Sequence, residues 1–176
     1  NGGKLKWGAD NGVLRKDKGS SYEGGWRVPF LMQWKGVISP SLYDQPVNSL
    51  DVLATIADLS GAPLDPKKPL DGVNLIPYVT DEKQGAPHRA VFLRGGGSKG
   101  AYAVRMGDYK IITYNGGTGQ QMFNLKNDIS EEHNIIKSLP ERFKEIDSVR
   151  AEWSKGLIEP AYLGLEHTNK FKENNK

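Results

Sequence analysis

The hydrophobic and polar positions of this chain change their rhythm near Arg89. Before it, one stretch carries a helical period: Leu50, Leu53, Ala54 and Ala57 share a face, and Val52, Ile56 and Leu59 widen it. Asn48 or Ser49 can cap its start, Asp51 falls in its first turn, and Gly61 with Pro63 ends it. The short apolar run from Arg27 to Trp34 predicts a buried strand, closed by Lys35-Gly36. Asp71 to Tyr78 predicts a turn leading into a short helix or an extended piece.

After Arg89 the runs are short and closely spaced. Ala90–Arg94, Ala101–Arg105, Tyr109–Tyr114 and Gln121–Leu125 are strand candidates, separated by turns at Gly95–Gly100, Met106–Asp108 and Gly116–Gly119. Strands joined so tightly imply an antiparallel sheet. Pro140 to Leu157 predicts an amphipathic helix with Phe143, Ile146, Val149 and Trp153 on one face, and the Lys/Asn-rich end from His167 should fray. The chain thus divides near residues 80–88. The part before holds a loop, a strand and a helix that cannot bury themselves alone; the part after holds a sheet and a helix that can.

Composition changes this picture little. A chain of 176 residues suits one or two compact units, and a net charge of +3 is too weak to argue for a nucleic-acid partner. There is no cysteine, which excludes disulfides and thiolate metal sites. No apolar run approaches the roughly 18 residues that span a bilayer. An opening of Asn1-Gly2-Gly3-Lys4, with no initiator Met and no signal peptide, reads as a fragment of a longer protein.

The chemistry concentrates in Asn1–Pro29. Asp10, Asn11 and Asn1 offer oxygen ligands of the kind that suit calcium or magnesium. Arg15, Lys16, Lys18 and Arg27 suit an anion such as sulfate or phosphate, and the glycines around them let backbone approach a ligand. The plain alternative is a set of ordinary turns with solvated charges. His88, His133 and His167 do not neighbour Lys18 in sequence and read as surface or packing residues. Trp7 and Trp26 flank the segment and could meet a substrate ring, although tryptophans are more often core.

Lys18-Gly19-Ser20-Ser21-Tyr22-Glu23-Gly24-Gly25-Trp26-Arg27-Val28-Pro29-Phe30 resembles the second signature of the sulfatase family, Lys-Gly-small-x-x-Glu-Gly-Gly-x-Arg-Val-Pro. Gly8 to Arg15 is similar to the family's Gly-Ala-Asn-Asn-x-x-Leu-Arg loop, which aligns Asn1-Gly2-Gly3 with its Asp-Asn-Gly-Gly metal turn. Asn48–Gly61 resembles the family's Asp-x-x-x-Thr helix, and Leu70–Leu75 its Asp-Gly-x-Ser-Leu element. Val104–Ile111 and Phe123–Asp128 resemble two strands of its C-terminal sheet. The likeness runs from Asn1 to about Trp153.

The resemblance implies an α/β fold: the tail of an alkaline-phosphatase-like domain over residues 1–85, then a four-stranded antiparallel sheet packed on a helix over 86–160, and a tail over 161–176. It implies Asn1 as a ligand of a divalent cation, usually calcium, and Lys18 as a contact to the substrate sulfate. Asn1 is preferred over Asp10 because the family's metal turn lies well before that lysine. Glu23 and Arg27 read as an internal ion pair fixing the turn, Asp51 as a carboxylate favoured by a helix dipole, and Arg15 as either lining the substrate entrance or solvated. The family's nucleophile is a formylglycine made from Cys or Ser in a Cys/Ser-x-Pro/Ala-x-Arg motif. That motif is read as absent here, so no catalytic residue is assigned, and the formylglycine and a metal-binding Asp pair are expected in a missing N-terminal half. The expected substrate is a sulfated carbohydrate or aryl sulfate, acted on in the periplasm or outside the cell, and this chain alone is expected to be inactive. A phosphoesterase of the same superfamily and a non-catalytic binding module are the alternatives.

Overall fold

The computed structural model describes residues 1–95, 100–114 and 119–161. They fall into two compact units, one of Asn1–Val28 with the chain from Phe92 onward, the other Pro29–Val91.

The second unit is organised by α2, Leu50–Ser60, which follows a single short turn of helix, α1, at Glu23–Trp26 in the first unit. Asn48 and Asp51 cap α2 reciprocally: Leu50 N donates to Asn48 Oδ1 at 2.8 Å, and Asn48 N to Asp51 Oδ2 at 2.7 Å. Gly61, at φ +64°, ends it; the amides of Gly61 and Ala62 return to the carbonyls of Asp58 and Ala57. The buried side of α2 is small and polar (Asp51, Ala54, Thr55, Ala57), because the strap from Gly72 to Leu75 lies against it. Asp51 accepts from Val73 N at 3.0 Å and Thr55 Oγ1 from Leu75 N at 3.0 Å. The two family-like elements, Asp-x-x-x-Thr and Asp-Gly-x-x-Leu, are therefore one interlocked piece. His88 completes it, its Nε2 2.8 Å from Asp51 Oδ1, so this histidine packs inside the unit. A short turn of helix, α3, follows the strap at Ile76–Val79.

The wide apolar face of α2 is not covered here: Leu50, Leu53 and Ile56 are all more than half exposed. The buried strand expected over Arg27–Trp34 does not form. The segment has no regular secondary structure and pairs with no described strand, leaving Val28, Phe30, Leu31 and Trp34 exposed.

The first unit is built on a sheet of β1 (Val91–Gly95), β2 (Ala101–Met106), β3 (Tyr109–Tyr114) and β4 (Gly119–Asn124) in sequential order. β2–β3 and β3–β4 are antiparallel, and Gly107, at φ +60°, supplies the first position of the two-residue β2–β3 loop. The turns expected at Gly95–Gly100 and Gly116–Gly119, and the tail beyond 161, fall largely outside the described residues. The helix α4, Pro140–Ser154, begins with Pro140 in its first turn and buries Phe143 and Ile146.

Period-two alternation sends the sheet's side chains to two covered faces. Val104, Ile111 and Met122 lie opposite one another on the face that meets α4, where Phe92 also stacks on Trp153 at 4.5 Å. Ala103, Ile112 and Phe123 lie on the other, packed against Tyr22 and Trp26 of the N-terminal segment. Lys110, opposite Phe123, is on that second face and fully buried. The N-terminal segment is thus half of the sheet's hydrophobic cover.

Candidate active site

Asn1 to Arg27 holds only a 3₁₀ turn at Leu5–Trp7 and the single turn of α1, so side chains and glycines must fix its path. Asn11 does much of this. Its Nδ2 donates to the carbonyls of Lys16 (2.9 Å), Gly24 (3.2 Å) and Gly3 (3.4 Å), drawing three passes of the loop together. Asp10 closes a local turn by accepting from Gly12 N at 2.7 Å. The two residues that look most like a metal motif in the sequence therefore have structural work inside the loop.

Glycines set the packing distance. A Cβ on Gly2 would lie 1.9 Å from the Gly24 carbonyl oxygen, one on Gly24 2.3 Å from that of Lys16, and one on Gly25 2.2 Å from that of Ser20. Backbone touches backbone at all three positions, which no other residue permits. Gly2 N donates to Gly25 O at 3.0 Å and Lys18 N to Gly3 O at 3.2 Å. Asn1 and Lys18 are thereby seated on the same small knot. Both are exposed, and among the described residues neither side chain has a hydrogen-bond or ion-pair partner. Lys4, by contrast, pairs with Asp17 at 3.5 Å. Trp7 is exposed, whereas Trp26 lies over the buried Lys110 at 4.7 Å and donates to Glu23 Oε1 at 2.8 Å.

Beneath the knot sits a cluster of buried charge. Lys110 Nζ is 2.8 Å from Glu23 Oε1 and 2.8 Å from Glu131 Oε1, all three side chains being almost fully buried. Glu131 Oε2 accepts from Glu23 N at 2.6 Å, and Glu131 adopts φ +55°, a conformation that costs a non-glycine residue about 1 kcal/mol or more. Burial pushes the Glu23 carboxyl up, but the charge and hydrogen bond of Lys110, with the Trp26 indole, outweigh it and hold the group below its ordinary value. Burial dominates at Glu131 and raises it, against the pull of Lys110. Arg27 reaches Glu23 only at 3.7 Å, half exposed, so the ion pair expected inside the turn is a minor partner beside Lys110. Arg15 stacks on Tyr22 at 4.2 Å and donates to the Glu131 carbonyl. It also lines a cleft of about 640 Å³ with Gly12, Val13, Ser130 and Glu132.

Among the described residues, no three His, Cys, Asp or Glu side chains converge on a point that could hold a metal. The Asn1 carboxamide oxygen suits a hard cation, so these residues fit one as a single donor of a larger set.

The family model described as N-sulphoglucosamine sulphohydrolase, C-terminal, matches residues 14–157. This chain belongs to the sulfatase family. Bovine arylsulfatase A (Bos taurus) is 31% identical to it over 184 residues, covering 88% of this chain and 36% of that protein. The crystal structure of Ps i-CgsB superimposes with a TM-score of 0.86 at 30% identity, over 99% of this chain and 39% of that one. A second, of Ps i-CgsB in complex with k-i-k-neocarrahexaose, gives 0.85 at 32% identity, again over 99% and 39%. The sulfatase chain thus spans little more than a third of each of these three relatives. Its four-stranded antiparallel sheet with helices superimposes on the matched part of those structures.

The expected absence of the nucleophile motif does not hold. The nucleophile pattern does occur once in this sulfatase chain, as Ser138-Leu139-Pro140-Glu141-Arg142. The structure gives it a different use. Ser138 is exposed in the turn before α4, its N–H bonded to Ile135 O at 3.0 Å, Pro140 opens the helix, and Arg142 pairs with Glu145 at 2.6 Å. Ser-x-Pro-Glu is an ordinary helix start, which explains the match without chemistry.

Sequence reasoning missed Lys110 and Glu131, and it read Asn11 as a ligand rather than as the tie of the loop. The signal for Lys110 was a lysine within a strand otherwise apolar on both sides, Tyr109 to Ile112. Glu131 carried none, since it lies among Glu132, Asp128 and other loop polar residues.

Proposed function

We propose that this chain supplies Asn1 and Lys18 to the active site of a sulfatase that hydrolyses sulfate esters of carbohydrates or aryl compounds, in the periplasm or outside the cell. The observation that carries the reading is the partnerless, exposed Lys18, held on a knot of glycines within a chain of the sulfatase family. An ammonium in that position binds a sulfate group and offsets the charge that grows on its oxygens as the ester bond breaks. Asn1 contributes one oxygen to a calcium ion whose remaining ligands, like the formylglycine nucleophile, come from sequence outside this chain. Such an ion, when bound, polarises the sulfate oxygens as a Lewis acid. Ps i-CgsB has been crystallised with an oligosaccharide, which favours a carbohydrate over a simple aryl ester as the natural substrate. No described helix is long and apolar enough to cross a membrane.

The test is to express the longer protein that contains this chain and assay it on an aryl sulfate and on sulfated oligosaccharides, beside an aryl phosphonate monoester. Faster turnover of the sulfate esters supports the reading, with loss of a hundredfold or more in kcat/KM on Lys18→Ala. Preference for the phosphonate would move the assignment to a phosphoesterase. Binding without turnover of either would leave the chain as a carbohydrate-binding module.

A further inference from the structure

We propose that Lys110 is the positioning residue of this site: its buried ammonium, between Glu23 and Glu131, sets the geometry of the turn that seats Asn1 and Lys18. The inference rests on the sulfatase reading for its catalytic consequence, but the geometry stands by itself.

A lysine with no exposed surface is uncommon, because removing an ammonium from water is costly unless it is fully paired. Nothing in the sheet requires a charge there. Of the neighbours of Lys110 on the same face, Ile112 and Phe123 belong to an apolar cluster that a methionine would extend, while Arg105 lies directly opposite on β2. What the ammonium reaches is Glu23, the first residue of α1 and of the Glu-Gly-Gly signature. From Glu23 the path to the candidate site runs through backbone and the Asn11 carboxamide. Gly24 N donates to Arg15 O at 2.9 Å, Gly24 O receives Asn11, and Gly25 O receives Gly2 N. With Gly2 packed so close to Gly24 that a Cβ would fall 1.9 Å from its oxygen, the knot has no slack to absorb a shift of the turn. A displacement of Glu23 is passed to Gly2 and Gly3, and so to Asn1 and to Lys18, whose amide is bonded to Gly3.

Glu131 gives the cluster its second contact. It holds Lys110 with one oxygen and the Glu23 amide with the other, so a single carboxylate fixes both the ammonium and the start of α1. An apolar packing of the same volume would cover the sheet equally well. It would not specify where along the sheet the turn sits, since hydrophobic contact has no direction while the ion pair and the amide bond do. The C-terminal sheet is in this sense the ruler against which the catalytic loop is set.

The experiment uses the longer protein and two variants. Lys110→Met alone leaves two buried carboxylates facing each other and can fail to fold. The triple variant Glu23→Gln/Lys110→Met/Glu131→Gln removes all three charges at nearly constant shape. For the triple, the melting temperature should stay within a few degrees of the parent. Its kcat/KM on a sulfate ester should fall at least tenfold, mainly through a raised KM, because Lys18 no longer meets the sulfate squarely. Amide exchange read by mass spectrometry should quicken at least tenfold in peptides spanning residues 14–26 and remain unchanged in β3. If the triple variant recovers parental kcat/KM and exchange together with its melting temperature, Lys110 only fills space and the proposal is overturned. If the parent protein shows no sulfatase activity, exchange alone decides the positioning role, and the failure belongs to the functional reading.

Discussion

Gly24→Ala sets two rules against each other, and the structure says which wins. Gly24 lies in the single helical turn of α1, where alanine is favoured over glycine by about 1 kcal/mol and also orders the unfolded chain less expensively. Local propensity alone expects stabilisation. The added Cβ, however, would lie 2.3 Å from Lys16 O, 2.6 Å from Arg15 O and 2.9 Å from Leu14 O, all backbone atoms that cannot rotate aside. Ordinary carbon–oxygen contacts are about 3.3 Å or longer, so the turn must back away by roughly 1 Å. That movement breaks the bond from Gly24 N to Arg15 O and stretches the one from Asn11 to Gly24 O, each worth about 1 kcal/mol. Overpacking strain adds about 1–3 kcal/mol. Allowing for the propensity gain, the net loss is about 2–4 kcal/mol, a fall in melting temperature of roughly 5–15 °C for a chain of this size. Far-UV circular dichroism during heating, with a urea titration alongside, measures it. Gly107→Ala is the control: it sits at φ +60° with nothing within 4 Å, so only backbone strain of about 1–2 kcal/mol should appear. A Gly24→Ala chain that melts at or above the parent would refute the close-packing argument.

Three further outcomes are expected. Lys18→Ala should leave the melting temperature unchanged within about 0.5 kcal/mol of stability, since the side chain is exposed and unpaired, so that any loss of activity is chemical; a clear fall in melting temperature would show an unrecognised structural role. Asp51→Ala should destabilise Pro29–Val91 by about 3–5 kcal/mol, because the amides of Asn48 and Val73 and the ring of His88 all lose a charged acceptor; limited proteolysis around residues 62–72 reports it, and an unchanged cleavage rate would count against the interlock. Glu131 and Glu23 should pull the pH dependence of stability in opposite directions. Glu23, held low, contributes stability above its ordinary value near 4.5 that is lost as pH falls through its depressed folded value. Glu131, held high, is protonated more readily in the folded than in the unfolded chain, so stability declines as pH rises from near 4.5 through its raised folded value. Glu131→Gln should abolish that decline in urea titrations across pH 4 to 8, and a persisting slope would place its source elsewhere.

The elements of this protein were legible in its sequence wherever a local signal and the tertiary environment agree. The helix from Leu50 to Ser60 carries its cap at Asn48 and its stop at Gly61, and the sheet strands fall within about two residues of where the apolar runs place them. The family was legible too, because Glu-Gly-Gly-x-Arg-Val-Pro is a backbone-packing requirement written as residue types: the glycines are where Cβ atoms would collide. Other features were decided only by contacts between residues far apart in the chain. Arg27–Trp34 has the composition of a strand but finds no partner among the described residues, and strand formation depends on a neighbour that composition cannot supply. The apolar pattern of α2 names a wide face for burial, yet Gly72–Leu75 lies on the polar side, drawn there by Asp51 and Thr55. Asp10 and Asn11 look like ligands in sequence, and only the fold shows that Asp10 closes a local turn and that the Asn11 amide nitrogen ties the loop together. The burial of Lys110 could not be read at all, because the cost of burying a charge depends on partners 87 and 21 positions away, brought within 2.8 Å by the folded chain alone.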